Sequence, residues 1–113
     1  MVEPNNENLD LIFHALADAT RREMIRLVSE KEKTVSEMAE PFDMSLAAAS
    51  KHIKVLEKAN LIQRTVEGRT HTCRINAETL ALASKWLSVY EKFWSKRFDV
   101  LESEILKAKK KEH

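Results

Sequence analysis

The sequence is short of residues that break helices. Its 113 residues include one glycine and two prolines, which suits a mostly helical chain with short connections. The same scarcity removes function classes. A phosphate-cradling loop or a dinucleotide fingerprint needs several closely spaced glycines, and Gly68 stands alone. Cys73 is the sole cysteine, so no internal disulfide can form, which fits a reducing cytoplasm. No apolar run approaches the roughly 20 residues of a membrane span. The polar, acidic start MVEPNNENLD does not read as a secretory signal. A cytoplasmic protein with no membrane partner is therefore expected.

An overall excess of one charge is also missing, since the formal net charge is only +1. That total argues against an indiscriminately basic nucleic-acid coat, but it hides an asymmetry. Residues 1–30 carry net −3, residues 31–43 net −2, residues 44–76 net +4 and residues 77–113 net +2. Basic charge focused on one middle segment is what a single phosphate-facing surface requires. Sampling in a charge-rich chain can produce such unevenness, so the pattern within the segment has to decide.

What is present is enough for a core. The chain is 43% hydrophobic and 33% charged, which places residues 1–113 among ordinary single domains and outside the disordered class. Leu9, Ile12, Phe13 and Leu16 make one apolar stripe and predict a first helix over 8–17. Asp18 can cap a second helix over 19–29, with Thr20 and Glu23 as an alternative box one turn later. Met24, Ile25, Leu27 and Val28 supply its inward face.

Thr34-Val35-Ser36-Glu37 matches a capping box and opens a third, short helix that Pro41 limits. Asp43-Met44-Ser45 is the turn. Ser45 then caps a fourth helix over 46–59, with Ala49, Ile53 and Leu56 inward and Asn60 suited to the left-handed residue beyond its end. The period then changes from helical to alternating. Residues 61–66 and 70–75 read as two strands around Glu67-Gly68-Arg69, a hairpin. Asn76 caps a last helix over 77–107, whose stripe runs through Ala83, Leu87, Tyr90, Trp94, Phe98, Leu101 and Ile105. The fold class expected is mainly α with a β-hairpin wing: a helix-turn-helix over 34–59 and a wing over 61–75.

This order of elements points to double-stranded DNA. A helix that enters the major groove must be buried on one side and polar on the other. Opposite the core side, the fourth helix carries Ala47, Ser50, Lys51, Lys54 and Lys58, with Ala48 at its edge. Ser45 and the small residues after it let the helix sink into the groove, and its first-turn N–H groups can hold a phosphate. Arg64 and Arg69 bracket the hairpin tip, and a β-ribbon presenting arginine can follow the minor groove. The expected DNA-binding residues are Ser45, Ala47, Ala48, Ser50, Lys51, His52, Lys54, Arg64 and Arg69. Taken alone, Lys54 or Lys58 would read as a solvated face. His52 sits beside the core side, where a packed or capping histidine competes with a phosphate contact.

Three segments carry a family resemblance: LADATRREMI at 16–25, TVSEMAEPFDMSLAAASKHIKVLEKANLI at 34–62 and GRTHTCRI at 68–75. From Leu9 to Leu106 the chain resembles the ArsR/SmtB family of winged helix-turn-helix regulators. Two family prolines are replaced, by Ala19 and Ala47, both tolerable because alanine is a good helix former. The resemblance implies a homodimer that binds a two-fold operator and usually represses. Many members release DNA when metal binds, but the family's cysteine pair falls on Thr34 and Ser36, poor ligands for soft metals. No histidine lies within the last helix, and His14, His52, His71 and His113 show no ligand spacing. The chain thus looks like the branch without a metal site, and no metal or cofactor is expected. Cys73 on a strand reads as a small core residue rather than a sensor.

Five of the seven aromatics lie between Trp86 and Phe98. One helix face cannot bury that much against a small motif. The expected dimer interface is Leu9, Phe13, Trp86, Tyr90, Phe93, Trp94, Phe98 and Leu101. The same aromatics could line a pocket for a small hydrophobic effector. A winged-helix module for protein contact is the alternative reading, but it leaves Ser50, Lys51 and Arg69 without a common ligand. An enzyme is not expected, because no nucleophile–base pair or paired carboxylates emerge.

Overall fold

The computed structural model describes the backbone of residues 4–111 and the side chains of residues 8–93 and 95–109. The chain divides into two units, one through Ala81 and one from Leu82 onward. The first holds α1 (Pro4–Leu16), α2 (Ala19–Glu30), β1 (Lys33–Thr34), α3 (Val35–Ala39), α4 (Leu46–Lys58), β2 (Ile62–Glu67) and β3 (Thr70–Ile75). It also holds the start of α5 (Ala77–Lys111), which supplies the second unit.

Local chemistry sets most boundaries. Asp18 caps α2 by accepting the Arg21 N–H at 3.0 Å. The box at α3 is reciprocal: the Glu37 N–H donates to Thr34 Oγ1 at 3.2 Å, and the Thr34 N–H donates to Glu37 Oε1 at 3.0 Å. Ser45 Oγ accepts the Ala48 N–H at 3.1 Å and starts α4. α4 ends on Asn60 at φ 59°. There the Leu61 N–H reaches Leu56 O and the Asn60 N–H reaches Glu57 O, both at 2.9 Å. That pair of bonds is a Schellman motif and satisfies two carbonyls the helix would otherwise leave open.

Three features differ from the sequence expectation. α1 starts at Pro4 rather than residue 8; proline fits a first helical turn, where its preset φ helps and no N–H is needed. The hairpin loop is two residues long, since Glu67 pairs with Thr70, and Gly68 takes φ +61° at the first turn position, as such tight hairpins favour. A third strand, β1, pairs antiparallel with β3 through Lys33–Cys73 and Thr34–Thr72, giving the order β1-β3-β2. Two residues are too few to show an alternating pattern.

The core of the first unit gathers an apolar face from each of α1 to α4. Ile12, Met24, Met38, Ile53, Leu56 and Leu61 are fully buried. Ile62 and Cys73 close it from the sheet. This packing fixes the rotation of α4 about its axis and so decides which residues it shows to solvent.

Candidate nucleic-acid interface

With Ala49, Ile53 and Leu56 buried, the outward stripe of α4 is Ala47, Lys51, Lys54 and Lys58, all exposed. Ser45 is exposed at the cap, and Ala48 and Ser50 are half-buried at the stripe's edges. Among the described residues none of these lysines is held in an ion pair. Arg69 is exposed at the hairpin turn. Between α4 and the hairpin lies an open cleft of about 430 Å³, lined by Thr34, Val35, Ser36, Leu46, Ser50, Arg64, Arg69, Thr70 and His71. Hydroxyls, two guanidiniums and an imidazole thus converge on one concavity beside the lysine stripe. Thr34, Ser36, Thr70 and His71 were not singled out for this surface from sequence; only contact between β1, α3 and the hairpin brings them there.

Two of the nine expected DNA-binding residues are engaged by other side chains of the protein. His52 is half-buried and turned toward the α1–α2 junction, with Nδ1 3.4 Å from Arg21 Nη1 and 3.9 Å from Asp18 Oδ2. Arg21 is itself engaged, donating to Ala15 O at 2.7 Å and His14 O at 3.1 Å. The Arg21 backbone N–H holds the Asp18 carboxyl below its ordinary range, and the Arg21 and His52 charges add to this. Arg64 lies on the inward row of β2, opposite buried Cys73. Its Nη2 donates to Glu57 Oε1 at 2.5 Å, and its Nη1 lies 3.3 Å from His71 Nδ1.

The residues expected at a dimer interface separate by element. Leu9 and Phe13 on α1 are half-buried. On α5, Trp86, Tyr90, Phe93, Phe98 and Leu101 are exposed, and Leu82, Val100 and Leu106 add to that apolar surface. The Trp86 and Tyr90 ring centroids are 4.6 Å apart, and the Arg97 guanidinium lies 4.6 Å from the Phe93 centroid. The Trp94 side chain lies outside the described residues.

A helix-turn-helix domain family matches residues 16–65. The HTH-type transcriptional regulator YuzN of Bacillus subtilis is 36% identical, over 73% of this chain and 98% of its own length. A crystal structure of an ArsR family transcriptional regulator agrees at 40% identity and a TM-score of 0.75, covering 84% of this chain and 97% of that one. The chain belongs to the ArsR family of winged helix-turn-helix transcriptional regulators. The transcriptional repressor SdpR of Bacillus subtilis is 28% identical, over 67% of this chain and 84% of its own length. This ArsR-family chain is accordingly a DNA-binding transcriptional regulator, and the lysine stripe of α4 lies within the matched segment.

The family resemblance implies that Thr34 and Ser36 stand where metal-sensing members carry thiolates. The Thr34 hydroxyl is committed to capping α3, and neither residue offers a soft donor. The residues present do not fit such a site. Among the described residues, no group of three or more His, Cys, Asp or Glu side chains is placed to hold a metal ion. Burial pushes the Cys73 thiol above its ordinary pKa, with Arg64 opposing and Glu57 adding. That disfavours the reactive thiolate.

Proposed function

We propose that the chain is a homodimeric ArsR-type repressor that reads its operator with α4, steadies the duplex with the wing, and has no metal-sensing site. The observation that carries this reading is the unpaired stripe Lys51, Lys54 and Lys58 beside a cleft flanked by Arg69. Phosphate contacts fix register, and the few residues that reach base edges give specificity. Ser45, Ala47, Ala48 and Ser50 keep the front of α4 slim enough to approach the groove floor. Repression is the activity of the similar protein SdpR of Bacillus subtilis, and we extend it to this chain.

The exposed apolar surface of α5 supports the homodimer: Leu87, Tyr90, Leu101 and Ile105 follow one another at steps of three, eleven and four residues, which keeps them on one side of the helix. A second copy covers such a face with like residues in an isologous contact. No described helix is long and apolar enough to cross a membrane, and a DNA regulator of this kind works in the cytoplasm with no membrane partner. Its work is binding rather than catalysis. A gel shift against its own upstream region tests the reading. Specific binding about a thousand-fold or more above random DNA is expected, as for specific regulators generally. Equal binding to both, weak even at low salt, overturns it.

A further inference from the structure

We infer that Arg64 is a positioning residue that locks the wing against the recognition helix through Glu57 and His71, and does not itself hold DNA. This rests on the DNA-binding reading above and adds how the two contact elements are kept in register.

The pairing register explains why an arginine sits there. Ile62, Arg64 and Val66 share one face of β2 with their partners Ile75, Cys73 and His71 on β3. Ile62 and Cys73 on that face are buried. Arg64 therefore points along the inner face of the hairpin, and its side chain is 17% exposed. Its Nη2 meets the Glu57 carboxylate at 2.5 Å, its Nη1 faces His71 Nδ1 at 3.3 Å, and its Nε is buried with no partner among the described residues. A guanidinium committed in this way has little left for phosphate.

Glu57 makes the same point from the other side. It follows Ser50 by seven residues, so both lie on the wing-facing edge of α4, next to the lysine stripe. A carboxylate beside a DNA-facing helix opposes phosphate binding unless a cation neutralises it. Arg64 does so, and its planar fork spans two separated partners in a fixed geometry, which the point-like ammonium of lysine does not offer. The mechanical effect is leverage. Arg69 sits in the turn just past the last β2 pair, three to four residues of strand rise beyond Arg64, roughly 10–13 Å. A 10° tilt of the hairpin at Arg64 would move that tip by roughly 2 Å on the same strand geometry.

The test uses the full chain and its operator, with dissociation constants measured between 50 and 200 mM salt and folding checked by circular dichroism. Glu57→Gln is expected to weaken operator binding about tenfold, with its salt dependence unchanged, although it removes a negative charge near DNA. Affinity equal to or above the parent's overturns the inference. Arg64→Lys, which keeps the charge and most of the packing, is expected to lose a similar factor. Arg64→Gln should leave the salt slope unchanged; a fall of about one would mean Arg64 holds a phosphate directly. Arg69→Ala should cost clearly less in the Glu57→Gln background than in the parent, and an equal cost overturns the inference. The free protein supplies a readout independent of DNA: amide exchange in 62–67 should speed up in Glu57→Gln, and unchanged exchange counts against the lock. A parent that fails to discriminate operator from random DNA sinks the repressor reading instead, while the exchange result still decides the role of Arg64.

Discussion

Two helices of this chain expose contrasting surfaces. α4 turns Ala49, Ile53 and Leu56 fully inward and, apart from Leu46 in its first turn, shows solvent small and cationic side chains. From Leu82 onward α5 shows solvent leucine, valine, tyrosine and phenylalanine. Covering apolar surface is worth about 25 cal/mol per Å². A helix whose apolar face is already covered within one copy leaves charge outside, as α4 does. The apolar surface of α5 gains most from a second molecule. The two helices therefore call for different probes: nucleic acid for α4, and protein concentration for α5.

The sharpest way to separate them begins in the core. Ile53→Ala should lower stability by about 2–5 kcal/mol, because a fully buried side chain leaves a cavity. Denaturant unfolding measures it, and a loss below about 0.5 kcal/mol would show that α4 is not anchored as described. Next comes Leu101→Asp on α5, whose parent side chain is 51% exposed. A buried, unpaired carboxylate in a dimer interface costs several kcal/mol, on the order of 3–5. Light scattering should then report monomer, with tight operator binding lost. A dimer that persists would remove α5 from the interface.

Smaller effects sharpen the α4 side. Lys51→Ala should weaken specific binding by about 1–3 kcal/mol if Lys51 reads a base, and more evenly across sequences if it holds phosphate. Equal affinity for parent and variant would mean the outward stripe is misassigned. The smallest effect is a pH dependence at the α2 cap. Asp18 is held below its ordinary value of 3.8, chiefly by the Arg21 backbone N–H. A depressed carboxyl contributes stability above its unfolded pKa, and that contribution is lost as pH falls through the folded one. Asp18→Asn should therefore cost stability at neutral pH and cost progressively less as the pH falls below about 4. A difference between parent and variant that stays constant through that range would contradict the cap's charge.

The parts legible in the sequence were those decided by near neighbours. Asp18, Thr34 with Glu37, Ser45 and Asn60 each act within a few residues, so spacing alone revealed the helix limits they set. The family resemblance and the inward faces of α2 and α4 were equally visible. β1 was not, because two residues carry no period and their pairing with β3 spans some forty positions. Arg64 is the instructive case. Its charge and its place near the hairpin suggested DNA, yet it shares strand parity with buried Ile62 and pairs with buried Cys73, which marks it as inward-facing. His52 likewise follows from its place beside Ile53, but its partners Asp18 and Arg21 lie over thirty residues away.

Gly68, the chain's sole glycine, has a practical consequence. It holds φ +61°, and a Cβ built there would meet nothing within 4 Å. The demand at this position is one of handedness, not of space. A mirror-image amino acid satisfies such a torsion without strain, as D-residues do in designed hairpins. A chemically ligated chain could therefore carry a D-cysteine with a fluorophore or spin label at position 68, one residue from Arg69. Such a reporter would follow the wing tip as it meets the duplex without forcing the turn out of its left-handed torsion.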